Sequence, residues 1–323
     1  MFDVTALGEY LIDFTPAGIS LQGNVCFERN PGGAPANVAV CVARLGGKSA
    51  FIGKVGDDMF GHFLSKVLSD NGVEISGLRF SSSANTTLAF VQLDEKGDRS
   101  FSFYRNPGAD TTLEAQEVNY DLIKNSKVLH FGSLSLTDEP ARTATLEAVK
   151  CAKENGCTVS YDPNLRPALW KSMELAKEQI KSVMGMVDIL KISEEELEFI
   201  TGEKDLDRGT GKIYSEYGIK LVLVTRGSEG SYYRFGDLTG AKATFSKLKA
   251  VDTTGAGDSF LGGFLYSMLS KGLKKPDELD RDLLEQMIIF SNATASLCVT
   301  KKGAIPAMPD LKSVMELIES EAV

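Results

Sequence analysis

Residues 251–260 read Val-Asp-Thr-Thr-Gly-Ala-Gly-Asp-Ser-Phe, and a long apolar helical pattern opens directly after them. A helix start presents unpaired backbone N–H groups and the positive end of the helix dipole. Such a terminus binds anions, phosphate above all. Gly255 and Gly257 let the backbone approach the anion with no side chain in the way. Asp258 is then out of place, because a carboxylate beside an anion site is repulsive unless it has a task. The economical task is general base, taking a hydroxyl proton as a phosphoryl group arrives. Glycine-rich turns also simply cap helices, and Asp and Ser are ordinary capping residues. The stretch alone leaves both readings open.

A second small-residue loop runs from Asn30 through Pro31, Gly32, Gly33, Ala34, Pro35 and Ala36 to Asn37. It opens a helix that Gly46-Gly47 closes. Asn37 lies in the first turn, either as a cap or facing a ligand across the glycines. Asp13 sits inside the apolar run 11–16, where an acid is paired, at a strand end, or functional. Gly46-Gly47-Lys48-Ser49 resembles the end of a P-loop, but Val42 stands where that motif needs glycine, so the reading fails.

The elements that must position these residues follow a regular rhythm. Strands are expected over 2–7, 49–54, 128–132, 158–162, 188–192 and 221–225, and helices over 57–71, 139–155, 175–186, from 193 onward and over 211–217. Strands alternating with helices argue a mainly parallel sheet covered on both faces. Ligands in such sheets sit beyond the carboxyl ends of the strands. Asp162, Asn164 and Arg166 fall at one such end, Lys191 at another, and Thr225, Gly227 and Gly230 at a third. Residues 86–93 and 99–105 read as a hairpin around 94–98, with one apolar face fit to cover a site or a partner subunit.

Composition narrows the classes. With 323 residues, 43% apolar content and 24% charged content, the chain reads as an ordinary globular protein. A net charge of −9 argues against a basic nucleic-acid footprint. Five scattered cysteines with no CxxC pair, and two histidines, argue against a zinc site or a disulfide framework. Reduced thiols, the absence of a basic leader and the absence of a membrane-length apolar run imply a cytoplasmic protein.

The two glycine loops, with the βα alternation between them, resemble the ribokinase-like (PfkB) family of sugar kinases over nearly the whole chain. Residues 161–170 (Tyr-Asp-Pro-Asn-Leu-Arg-Pro-Ala-Leu-Trp) and 191–196 (Lys-Ile-Ser-Glu-Glu-Glu) look most like bacterial and plant fructokinases. The resemblance implies one three-layer α/β/α domain over 1–323, with a small β-sheet lid from about 10–30 and 85–106. It implies transfer of the γ-phosphoryl of MgATP to a sugar hydroxyl, first of all that of fructose. Aminoimidazole riboside, 2-keto-3-deoxygluconate and other sugars or nucleosides are the alternative acceptors, and a non-catalytic regulator on the same scaffold is a more distant reading.

The resemblance also implies roles position by position. Asp258 matches the family's base, and Gly255, Ala256 and Gly257 match its anion hole. Asp13, Gly32, Gly33 and Asn37 fall on the sugar side, where Arg105 and Arg166 are either further contacts or, respectively, a partner contact and a solvated residue. Lys191, Thr225, Gly227, Gly230 and Asn292 match the nucleotide side. Glu196 matches the acid that orders water around Mg²⁺, although Ser193 replaces the Asn of that motif. Asp252 and Thr254, with the segment around Gly303, match a K⁺ site. A homodimer formed through the lid is expected.

Overall fold

Strands buried on both faces read as continuous apolar runs, and here they form parallel ladders covered by amphipathic helices. The computed structural model describes residues 1–93, 99–245 and 247–321, with backbone alone at 92, 93, 99–101 and 321. The expected hairpin turn at 94–98, and the side chain of Phe101 on its apolar face, lie outside that description.

The elements in chain order are β1 (Phe2–Leu7), β2 (Leu11–Ile19), β3 (Val25–Gly32), α1 (Ala34–Arg44), β4 (Ser49–Gly56), α2 (Met59–Asp70), β5 (Glu74–Ser81), β6 (Leu88–Leu93), β7 (Arg99–Tyr104) and α3 (Tyr120–Lys124). They continue with β8 (Ser126–Gly132), α4 (Ala141–Glu154), β9 (Thr158–Asp162), α5 (Met173–Ser182), β10 (Ile189–Ser193), α6 (Glu194–Thr201), α7 (Leu206–Tyr217) and β11 (Leu221–Thr225). The chain ends with β12 (Ser231–Phe235), β13 (Leu238–Lys242), α8 (Ala256–Ser270), α9 (Arg281–Cys298) and α10 (Leu311–Glu321).

The main sheet has nine strands in the order β13-β12-β11-β10-β9-β8-β1-β4-β5. Every ladder from β5 to β11 is parallel, while β12 and β13 add an antiparallel edge. One face is covered by α3 to α7, through residues such as Ala148, Ile180, Leu197 and Ile213. On the other face Val38 of α1, Phe260 and Phe264 of α8 and Met287 of α9 pack with Val4, Val128 and Leu223 of the sheet. The carboxyl ends of β1, β8, β9 and β10 therefore open along one rim.

A second sheet, ordered β3-β2-β6-β7, stands at that rim. It is the expected lid. Aromatic contacts seat it on α2: Phe14 meets Phe60 edge-on at 5.8 Å, and the Arg29 guanidinium lies 3.6 Å from the centre of the Phe63 ring. Elsewhere on the lid Ile19, Leu21, Val25, Phe27 and Tyr104 are exposed.

Several elements depart from the sequence reading. The helix expected over 175–186 ends at Ser182, and a 3₁₀ turn follows over Met184–Met186. Strand β5 and the β12–β13 hairpin were not expected, nor were α9 and α10. Among the described residues, no helix is long and apolar enough to cross a membrane.

Candidate active site

Helix α8 begins where Gly255, at φ 78°, turns the chain through the left-handed region. Glycine is required there on two counts: its backbone conformation, and the Ala304 Cβ, which would lie 2.7 Å from any Cβ at 255. Asp252 braces the loop before it. Its Oδ1 accepts from the Thr254 amide at 2.9 Å and the Thr254 hydroxyl at 2.7 Å, and its Oδ2 accepts from the Gly303 amide at 3.0 Å. The three residues expected at a cation site are thus brought together. Gly255, Ala256 and Gly257 face a cavity of about 540 Å³ between this helix start and the lid.

Asp258, in the first turn of α8, is 7% exposed. Its Oδ2 accepts from Asn37 Nδ2 at 2.7 Å, and Asn164 Nδ2 stands 3.5 Å from its Oδ1. Asn164 reaches inward because its backbone takes φ 45°, a conformation Asn tolerates better than most residues. Burial pushes the Asp258 carboxyl up to about 6; Asp162 adds to the rise, while Asn37, Lys191 and Arg166 oppose it. A carboxyl in this range is mostly ionised at neutral pH yet basic enough to take a proton.

Asp13 lies across the same cavity on β2. Burial pushes it up to about 6 as well, Arg166 pulls it down, and Asp258 raises it further. Gly32 leaves room for it, since a Cβ at 32 would fall on Asp13 Oδ2. Gly33 lets the chain pass the Glu9 carbonyl oxygen, where a Cβ would also collide. Gly33, Asn37 and Arg166 line the cavity with Asp13, and the Arg166 guanidinium donates to the Leu165 and Asn164 carbonyls at 3.2 and 3.5 Å.

Lys191 and Thr225 line the opposite end. The Lys191 amine bonds Asp162 at 2.9 Å and stands 2.7 Å from where a Gly257 Cβ would be. Burial disfavours its charge, but Asp162 and Glu196 outweigh burial and hold the amine above its usual value. Gly227 is exposed beyond β11 and Gly230 is buried against the Lys242 carbonyl. Both shape the turn into β12, and neither lines the cavity.

Three of the expected site residues have their polar atoms engaged within the fold. Arg105 does not line the cavity: Nε bonds Asp110 at 2.8 Å, Nη1 bonds the Thr137 hydroxyl at 2.9 Å, and Nη2 bonds the Leu134 carbonyl at 2.9 Å. It anchors the exit of the lid through a buried ion pair with Asp110 at 2.6 Å. Asn292 also stands off the cavity wall, because both hydrogens of its amide go to the Lys242 and Ala243 carbonyls and its oxygen accepts from Ser231. Glu196 is committed to the backbone, accepting from the Leu165 amide at 2.7 Å and the Ser193 amide at 2.8 Å as half of a capping box. Among the described residues no group of three acids, histidines or cysteines is placed to hold a metal.

One buried acid escaped the sequence reading. Glu9, just past β1, is 3% exposed and lines the cavity. Its Oε1 accepts from the Ala34 amide at 3.0 Å. The available signal was an acid at the carboxyl end of a buried strand, between Gly8 and the apolar run that starts β2.

An anion-binding helix start, a raised carboxyl beside it and a second carboxyl under a lid are the parts of a phosphoryl-transfer site. The pfkB carbohydrate kinase family model matches residues 1–311. The chain belongs to that family. It is 50% identical to fructokinase-1 of Zea mays over 319 residues, 98% of this chain and 97% of the relative. Its fold superposes on a fructokinase with bound ATP from Xylella fastidiosa with a TM-score of 0.90, at 32% identity and full coverage of both chains. A fructokinase double mutant from Vibrio cholerae O395, in a fructose-, ADP- and potassium-bound form, superposes at 0.87 with 33% identity and 98% coverage of both chains. As a pfkB kinase, this chain has the family's α/β body and its small lid sheet.

Proposed function

We propose that this kinase transfers the γ-phosphoryl of ATP to the primary hydroxyl of fructose, giving fructose 6-phosphate. The observation that carries the reading is Asp258, a buried carboxyl raised to about 6, held by Asn37 in the first turn of an anion-binding helix. The fructokinases to which the chain is similar supply the acceptor. Asp13, Gly33 and Asn37 hold the sugar hydroxyls, and Arg166 closes over them. Asp258 takes the hydroxyl proton as the sugar oxygen attacks the γ-phosphorus and the bond to ADP breaks. The proton leaves Asp258 to solvent after the products depart.

Charge on the transferring phosphoryl falls on the N–H groups of Gly255–Gly257, aided by the Lys191 amine. Thr225, with the turn shaped by Gly227 and Gly230, borders the nucleotide. A Mg²⁺ bound with the nucleotide would supply charge neutralisation at the phosphates. The lid excludes water, so that sugar rather than solvent is phosphorylated. Asp252, Thr254 and the segment around Gly303 would hold a K⁺ that tightens the anion-binding loop.

The whole chain acts as one catalytic unit in the cytoplasm, a setting suited to its five free thiols. Two copies pair through the exposed apolar residues of the lid, and a monomeric mass at micromolar concentration would overturn that pairing. A coupled ADP-release assay over fructose, aminoimidazole riboside and 2-keto-3-deoxygluconate tests the acceptor. Fructose is expected to give the highest kcat/KM, and no signal with fructose would remove the reading.

A further inference from the structure

Glu9 lies in the short connection between β1 of the main sheet and β2 of the lid. That connection is pressed against the start of α1. A Cβ at Gly8 would lie 2.6 Å from Pro35 Cγ, and a Cβ at Gly33 would fall on the Glu9 carbonyl oxygen. Helix α1 begins at Ala34 after Gly33, a residue with no side chain to cap it. The first N–H groups of a helix need acceptors from elsewhere. Glu9 supplies one, through the 3.0 Å bond from the Ala34 amide to its Oε1. One turn further, the Asn37 amide bonds the Gly33 carbonyl at 3.0 Å, and Asn37 Nδ2 bonds Asp258 Oδ2 at 2.7 Å.

We infer that Glu9 is a positioning residue for phosphoryl transfer: by clamping the first turn of α1 it fixes Asn37, and through Asn37 it fixes the carboxylate of Asp258. The inference rests on the reading of Asp258 as the base. Glu9 Oε2 is buried and has no hydrogen-bond partner among the described residues. Burial pushes this carboxyl up to about 7, Arg105 pulling it down and Asp110 adding to the rise. Near neutral pH Oε2 can therefore carry a proton while Oε1 goes on accepting. A glutamine reproduces that neutral, accepting form. A cap that served stability alone would leave turnover untouched in any variant that folds.

The test uses the full chain as wild type, Glu9→Gln and Glu9→Met, the last filling the same space without an acceptor. It reads kcat and KM with ATP and fructose, together with amide hydrogen exchange at Ala34, Ala36 and Asn37. Positioned general bases contribute about 10²- to 10⁴-fold. Glu9→Met is expected to lose at least about tenfold of that in kcat, with KM for ATP unchanged, and to exchange the Ala34 amide faster. Glu9→Gln is expected to keep kcat within about threefold and exchange at the wild-type rate. Wild-type kcat in Glu9→Met, with or without faster exchange, would overturn the inference, as would a Glu9→Gln no better than Glu9→Met. Should Glu9→Met not fold, Ala34→Pro removes the donor at a helix position that accommodates proline, with the same expectation for kcat. A wild type that phosphorylates no sugar defeats the proposed function instead. The exchange rates in the Glu9 variants then still decide the clamp.

Discussion

Replacing Asn37 by leucine removes the amide that bonds Asp258 Oδ2 at 2.7 Å, while filling nearly the same buried space. A hydrogen bond to a charged group contributes about 1.5–3 kcal/mol. One pKa unit corresponds to about 1.4 kcal/mol, so losing the bond raises Asp258 by about 1–2 units. The starting value is about 6 for Asp258, and Asp13 is also pushed up to about 6. Both carboxyls must be ionised, one to take the proton and one to hold the sugar. The wild-type acid limb of kcat/KM, which reports the free enzyme, therefore belongs to the pair and is steeper than a single protonation. Activity rises with pH through it. In Asn37→Leu the limb separates, with one step remaining near 6 and the other moving up by about 1–2 units. The assay is kcat/KM for fructose from about pH 5 to 9 at constant ionic strength, alongside circular dichroism to confirm the fold. A limb that stays in place, or moves down, in a folded variant would refute the reasoning.

Gly32→Ala would drive its Cβ onto Asp13 Oδ2. Strain of about 1–3 kcal/mol at that contact is expected to raise the KM for sugar about tenfold or more, and steady-state kinetics with varied sugar checks it. Lys191→Met leaves the buried Asp162 carboxylate without its 2.9 Å partner. The loss of a buried pair costs about 3–5 kcal/mol, read as a lower urea midpoint at unchanged slope, and a midpoint equal to wild type would count against that burial.

The parallel body was legible because its strands are buried on both faces. Residues 221–225 announce themselves as a short apolar run, and the structure ends β11 at the same residue. Residues 231–242 carried a hairpin signal too, Gly236-Asp237 between two β-rich runs, with Phe235 paired to Leu238. Helix α8 is buried on nearly all sides, packed against α1 and α9, so its pattern reads as apolar rather than amphipathic.

At the site, residue types revealed the chemistry but not the partners. Whether Asn37 capped its helix or faced inward was decided by Asp258, which lies 221 positions away in the chain. Arg105 reads as an available cation in the sequence, whereas Asp110, five residues on, holds it in an ion pair. Glu196 and Asn292 sit close to the expected places yet are bound to main-chain groups. A backbone partner leaves no trace in a side-chain pattern. Glu9 is hidden in the sequence for the same reason, since its partner is the amide of Ala34.

The central claim is that Asp258 takes the proton of the sugar hydroxyl. Asp258→Asn keeps the size of the side chain and its place beside Asn37 but cannot accept the proton. Fructose binding, followed by calorimetry, is expected to persist, while kcat with ATP falls by about 10²- to 10⁴-fold. A folded Asp258→Asn protein that turns over fructose within tenfold of wild type would contradict the account.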